Sequence, residues 1–145
     1  MKDEVNAAVD FLAKLVAKNQ NLNTDKIEEF RSKLTSVLMS KYKNHWFPDR
    51  PSRGQAFRCI RINENIRQDT LLVLVCQDIG INYSDLKMPV ELTLWIDPEE
   101  VTCRYVIDTF LLMIKRESLN SIDFSLHSRR MFLLPPLFTC HVQIR

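Results

Sequence analysis

The chain has 145 residues and a mass of 17.1 kDa, and 46% of its residues are apolar, which is enough to bury one hydrophobic core. It contains two glycines, Gly54 and Gly80, a scarcity that excludes collagen-like and low-complexity classes and disfavours a glycine-rich phosphate-binding loop. The formal net charge is +2, from 20 basic and 18 acidic residues. This balance does not predict a strongly basic surface that would bind nucleic acid or an anionic membrane.

Two helices are predicted first. A helical apolar stripe runs through the first 18 residues, and the polar run Asn19 to Asn21 ends it. Asn23 is placed to cap a second helix that runs to about His45, with Leu22 and Ile27 spaced for a hydrophobic staple. Two such helices with a short loop predict an antiparallel hairpin.

The next segment predicts a small sheet and a third helix. Residues 47–55, with Pro48 and Pro51, read as a loop. Ala56 to Ile62 alternates as a strand, with Ala56, Arg58, Ile60 and Ile62 on one face. Asp69 caps a helix from Thr70 to Ile79, which Gly80 ends, and residues 84–87 form one helical turn. Strands follow at Val90–Ile96 and Val101–Tyr105, so the order predicts an α+β fold, helices packed against a small, mainly antiparallel sheet.

The last 40 residues have a different character. Residues 106–145 hold five of the 20 basic and three of the 18 acidic residues, which leaves 15 of each sign in residues 1–105. Apolar residues are frequent, but their periodicity is poor, although residues 106–119 could form a helix. We therefore divide the chain into a domain at 1–105 and a divergent apolar, basic tail at 106–145.

Trp95 is the first candidate binding residue. On the strand that contains it, Val90, Leu92, Leu94 and Ile96 form an aliphatic face, whereas Glu91, Thr93, Trp95 and Asp97 form the other. A tryptophan beside a carboxylate on a water-facing surface is typical of an interface anchor. If a helix or the tail covers this face, Trp95 is instead an ordinary core residue, and the pattern alone leaves both interpretations open.

A basic, aromatic stretch lies between Lys41 and Arg67, with seven basic and two acidic residues. One hypothesis is an RNA-binding patch in which Phe57 stacks on bases and Arg58 and Arg61 contact phosphates. The favoured interpretation is a solvated basic face, with Trp46 and Phe47 packed under the loop, and direct contact with nucleic acid is not predicted.

The sequence contains no arrangement that indicates an enzyme, a metal site or a cofactor. Four widely spaced cysteines (Cys59, Cys76, Cys103 and Cys140) include no Cys-x-x-Cys pair, so neither zinc nor a disulfide framework is predicted. No histidine is spaced for a catalytic or ligand cluster, and Asp97, Glu99 and Glu100 have no opposing acid. The acidic start is unlike a signal peptide, and no apolar run is long enough to span a membrane, which favours an intracellular protein without a membrane anchor.

Two long segments resemble a known family. Residues 42–63 resemble box A, and residues 88–105 (MPVELTLWIDPEEVTCRY) resemble box B, of the BTG/Tob antiproliferative proteins, and the likeness favours the B-cell translocation gene branch. The resemblance covers about residues 1–105 and implies a non-enzymatic adaptor. Such an adaptor binds the DEDD-type nuclease subunit of the cytoplasmic mRNA deadenylase complex, promotes mRNA turnover and restrains the cell cycle.

The resemblance also implies partner-binding residues, namely Trp95, Asp97 and Phe57, and a cytoplasmic and nuclear location. It favours the exposed interpretation of Trp95. Many relatives carry Tyr at the position of Phe57, and the missing hydroxyl removes one interfacial hydrogen bond of about 1 kcal/mol. Transcription regulators are a further partner class in the family, but no residue here identifies that contact.

The family pattern stops at Val106, where relatives continue with Gly-Glu and another apolar strand. The resemblance therefore predicts a domain whose final strand is absent or supplied by the tail, as in an alternative isoform. A truncated, dominant-negative or poorly folded product is the alternative to a working adaptor, because an unpaired edge strand promotes aggregation.

Overall fold

A computed structural model describes residues 1–106 and, for its backbone, one further strand at Leu137–Gln143. In the described residues three helices, α1 (Lys2–Lys18), α2 (Thr24–Tyr42) and α3 (Thr70–Ile79), lie with four strands, β1 (Cys59–Ile62), β2 (Glu91–Asp97), β3 (Glu100–Val106) and β4 (Leu137–Gln143). The strands form one antiparallel sheet in the order β1-β2-β3-β4. The predicted α+β class is confirmed.

The helices begin and end where local chemistry sets them. The side chain of Asn23 accepts a hydrogen bond from the Lys26 amide at 2.8 Å and caps α2. Asp69 caps α3 by accepting from the amides of Leu71 and Leu72, and Gly80 ends that helix in the left-handed conformation, at φ +69°. These three predicted boundaries are confirmed.

One face of the sheet packs against the helices and forms the core. All three helices contribute buried side chains, and β1, β2 and β3 contribute every second residue, which is what a period of two requires. The fully buried side chains from the sheet include Ile60, Leu92, Leu94 and Ile96. Val90, predicted to join this aliphatic face, precedes β2 and is 55% exposed.

Two predicted boundaries are wrong. Helix α2 ends at Tyr42 and not near His45, because residues 43–45 form a turn closed by the His45 amide bonding to the Tyr42 carbonyl at 2.8 Å. β1 begins at Cys59 and not at Ala56. The Gly54 carbonyl accepts from the amides of Phe57 and Arg58, so residues 54–58 curl into turns, with Gly54 at φ +76°.

The tail contributes backbone to the sheet. The sequence predicts a final strand that is absent or supplied by the tail, and β4 pairs with β3 from Glu100 opposite Gln143 to Val106 opposite Leu137. Val106, which the sequence places at the start of the tail, is the last residue of β3. The possible helix at 107–119 lies outside the described residues.

A candidate partner-binding surface

Arg58 organises the loop that precedes β1. Its side chain is fully buried, although the sequence predicts a solvated basic residue or a phosphate contact at this position, and both of those interpretations are wrong. The guanidinium donates to the backbone carbonyls of His45 at 2.7 Å, Arg53 at 2.7 Å and Pro51 at 2.5 Å. One buried side chain therefore closes the loop from residue 45 to residue 58.

Asp97 is the charge partner of Arg58. The Arg58 Nη2 atom donates to Asp97 Oδ1 at 2.7 Å, and Nε donates to the same oxygen and to the Ile96 carbonyl, both at 3.1 Å. The sequence predicts Asp97 on a water-facing side of its strand, but the residue is 6% exposed. Burial is tolerated because the carboxylate is paired and hydrogen-bonded. Its second oxygen, Oδ2, accepts from the exposed side chain of Gln55 at 2.6 Å.

Aromatic rings surround this buried pair. The Trp46 ring lies 5.6 Å from the Arg58 guanidinium and stacks on Tyr42, with ring centroids 6.3 Å apart. The Tyr42 hydroxyl donates to the Arg58 carbonyl at 3.2 Å, and burial raises the Tyr42 pKa well above its ordinary range, so the hydroxyl remains a donor. The predicted packing of Trp46 under the loop is confirmed by its partial burial against the core.

Phe57 projects from this rigid support. It is 40% exposed and stacks on His45, with ring centroids 3.9 Å apart and planes inclined by 21°. The Lys41 ammonium lies 5.0 Å from the same ring. The Arg58 carbonyl accepts from the Ile96 amide, so the chain stays beside β2 and residue 57 lies near the Asp97 end of that strand.

Trp95 lies on the face of the sheet opposite the helices, which we call the outer face and define by Arg61, Thr93, Trp95 and Arg104. Cys59 on β1 pairs with Trp95 on β2, so the tryptophan lies beside the strand of the box A segment in the sheet. Trp95 is partly exposed, and no helix within residues 1–106 packs against this face. Burial raises the pKa of the Cys59 thiol, which therefore stays protonated beside Trp95 at neutral pH.

The structure thus places the three predicted partner-binding residues at one end of β2, with different exposures. Phe57 and Trp95 present aromatic surface, whereas Asp97 is buried in the pair with Arg58. The structural role of Arg58 is not predicted from the sequence, although its alternation with Ile60 and Ile62 on the apolar face is a signal that its side chain points inward.

The part of the chain that the structure describes has no cluster of His, Cys, Asp or Glu able to hold a metal ion. Nor do its helices include one with the length and apolarity needed to cross a bilayer.

Comparison with known proteins gives a consistent result. The family model described as "BTG family" matches residues 1–114. Protein BTG3 of Rattus norvegicus is 52% identical over 105 residues, which are 72% of this chain and 42% of that protein, and Protein BTG4 of Homo sapiens is 46% identical over 105 residues, 47% of its length. This chain therefore spans less than half the length of these curated relatives.

A solved structure shares the fold. A doubly substituted BTG/Tob domain of C. elegans FOG-3 superposes with a TM-score of 0.63 at 20% identity, covering 72% of this chain and 74% of that one. At this identity the likeness concerns the arrangement of helices and strands alone.

Proposed function

Because this chain belongs to the BTG family, we propose that it is an antiproliferative adaptor without catalytic activity of its own. Its partner in this proposal is the nuclease subunit of the cytoplasmic mRNA deadenylase complex, and its effect is to promote mRNA deadenylation and turnover and to restrain the cell cycle. Such a protein acts in the cytoplasm and the nucleus, where transcription regulators are a second class of partner.

The observation that carries this proposal is the pair of aromatic side chains at one end of β2. Phe57 is 40% exposed, and Trp95 is partly exposed on a face that no described helix covers. Aromatic residues held on a rigid support lose little conformational entropy on binding, and they are enriched among the residues that dominate interface energies. The Arg58–Asp97 pair supplies that support.

Asp97 has a restricted part in such a contact. Its Oδ1 atom is bonded to Arg58, so a donor from the partner reaches the carboxylate at Oδ2, by replacing the amide of Gln55. Gln55 itself is exposed, which makes this exchange sterically open. In this proposal Asp97 fixes the loop in the free protein and accepts from the partner in the complex.

Co-purification with the nuclease subunit tests the proposal. Trp95→Ala is expected to weaken binding about 30-fold, the effect of losing a central interface aromatic worth about 2 kcal/mol. Val90→Ala is the matched control, because Val90 is 55% exposed but lies before β2, away from the Asp97 end. Equal recovery of the nuclease with both variants, each with an unchanged melting temperature, contradicts the proposed surface.

A further inference from the structure

Two arginines and a threonine form a row across the outer face. Arg61 on β1 pairs with Thr93 on β2, and Thr93 pairs with Arg104 on β3, so the three residues lie side by side on adjacent strands. Since neighbouring strands are about 4.8 Å apart, the two arginine Cα atoms are separated by roughly 10 Å. Both side chains are exposed, and neither forms an ion pair with a carboxylate of residues 1–106.

An aromatic side chain occupies the next row. Trp95 lies two residues beyond Thr93 on the same strand and the same face, a distance of roughly 6.7 Å along the strand. A shallow groove of about 310 Å³ connects the arginine row with Trp95. Glu64 and Glu91 line this groove too, and Glu91 lies on the other side of Thr93 from Trp95, so an anion is favoured on the Trp95 side of the row.

We propose that the outer face binds single-stranded RNA. The sugar-phosphate backbone of the RNA crosses the β-strands along Arg61, Thr93 and Arg104, and one base stacks on Trp95. Two guanidinium groups without an ion-pair partner among residues 1–106 attract successive phosphates, and the Thr93 hydroxyl between them donates to a phosphate oxygen. A flat aromatic ring one row away provides the stacking platform that single-stranded recognition on sheets uses. A phosphopeptide would engage the arginines but would have no need of the aromatic row, so RNA accounts for more of the arrangement.

This site is distinct from the basic patch at 41–67 that the sequence suggests. Because Arg58 is buried, the basic residues of that patch do not form one exposed surface. Arg61 acts instead with Arg104, which lies 43 positions later in the chain and comes close to Arg61 only through the register of the sheet. The overall charge of +2 predicts weak and salt-sensitive binding rather than none. Because Trp95 belongs to both surfaces, RNA and the proposed nuclease partner exclude each other at this residue.

Fluorescence anisotropy with the full chain and a labelled 12-nucleotide RNA of adenosine and uridine tests this inference. The double variant Arg61→Gln/Arg104→Gln is expected to bind at least about fivefold more weakly and to lower the salt slope by about 1.4, the value for two lost phosphate contacts on a single strand. Trp95→Ala is expected to weaken binding by about fivefold or more through the lost stack. The matched control Arg50→Gln/Arg67→Gln removes two exposed arginines elsewhere and is expected to stay within about twofold of the parent.

Several outcomes overturn the inference. The first is that the parent does not bind the RNA at high micromolar concentrations. The second is that the two double variants lose RNA affinity equally. The third is that a phosphoserine peptide displaces the RNA at a lower concentration than unlabelled RNA does. Circular dichroism establishes that each variant is folded. The assay contains no nuclease, so RNA binding without nuclease binding, or the reverse, separates this inference from the proposed function.

Discussion

At the scale of single residues, the Arg58–Asp97 pair determines whether the candidate surface exists. Arg58 bonds to three loop carbonyls, to the Ile96 carbonyl and to the Asp97 carboxylate, so its five N–H donors are all directed at protein acceptors. Removing one member of a buried charge pair leaves the other charge uncompensated. These bonds tie the loop around Phe57 to the end of β2.

Arg58→Met is therefore expected to lower the free energy of unfolding by about 3–5 kcal/mol, because the Asp97 carboxylate stays buried without its partner. The double variant Arg58→Met/Asp97→Leu is expected to lose less than the sum of the two single variants. Urea unfolding of the parent, Arg58→Met, Asp97→Leu, the double variant and a control measures these differences. Arg50→Met, at an exposed arginine, is the control and is expected to stay within about 0.5 kcal/mol. An Arg58→Met protein as stable as the control contradicts this assignment.

Phe57→Tyr introduces the hydroxyl that the family resemblance implies at this position. Because the ring is 40% exposed and stacked on His45, the added oxygen remains solvated and stability is expected to change little. In the proposed complex the hydroxyl gains one hydrogen bond, which tightens binding of the nuclease subunit by about 1 kcal/mol, or about fivefold. Calorimetric titration of the two proteins measures this. Weaker binding by the tyrosine variant indicates that Phe57 is packed too closely in the complex to accept an oxygen.

At the scale of elements, α1 and the β2–β3 hairpin are joined through Glu4. The residue Glu4 is 7% exposed. Its Oε1 atom accepts a hydrogen bond from the Glu99 amide at 3.0 Å, and its Oε2 atom pairs with the N-terminal ammonium at 2.5 Å. Burial by itself raises the pKa of Glu4, but the ammonium and the backbone amides together hold the pKa below its ordinary value. Glu99, in the turn after Asp97, has a φ of +68°, so the bond that its amide donates to Glu4 holds a strained position.

Glu4→Gln is expected to lower stability by about 1.5–3 kcal/mol at neutral pH, since a charged acceptor is lost. A carboxyl group whose pKa is lowered in the folded state stabilises it above its ordinary pKa, and that contribution disappears as the pH falls through the lowered value. The stability difference between the parent and Glu4→Gln should therefore shrink in acid. Thermal unfolding at a series of pH values measures it, and a difference that stays constant down to pH 2 contradicts the ion pair.

The pairing of β3 with β4 is the second feature at the scale of elements. β4 pairs with β3 over seven residues, from Glu100 to Val106, and covers an edge that would otherwise expose unpaired amides and carbonyls. A chain that ends after Val106 is expected to show faster amide exchange in β3, while β2 remains protected between β1 and β3. Hydrogen exchange on the full and shortened chains measures this. If the β3 amides are equally protected from exchange in the two chains, β4 has no pairing role. If the β2 amides of the full chain are unprotected, the result supports a poorly folded product instead.

At the scale of the whole molecule, the sequence predicts elements better than it predicts their contacts. Helix α3 is correctly bounded because Asp69 and Gly80 act through their own local backbone. The misplaced start of β1 and the buried Arg58 depend on carbonyls from residues 45, 51 and 53, which a period-two pattern cannot register. The pairing of Arg61 with Arg104 across Thr93 likewise appears only once the strand order is known.

The candidate site was predicted in part for the same reason. The partly exposed Trp95 lies on the face that the alternation of its strand predicts, and the family resemblance singled out both Trp95 and the exposed Phe57, which lies in a turn. Asp97 obeys the alternation too, but the box A loop folds over it and supplies Arg58 and Gln55 as bonding partners. Sequence alternation reports the face of a strand and carries no information about a loop that later covers it.

The Phe57 and Trp95 end of β2 is the proposed binding surface for the deadenylase nuclease subunit. Hydrogen exchange of the full chain with and without that subunit tests it most directly. We predict new protection in residues 53–59 and at the Trp95 end of β2, with α3 unchanged because it lies on the opposite side of the sheet. Protection confined to α3, or no change at residues 53–59 and 95–97 under saturating nuclease, would contradict the account.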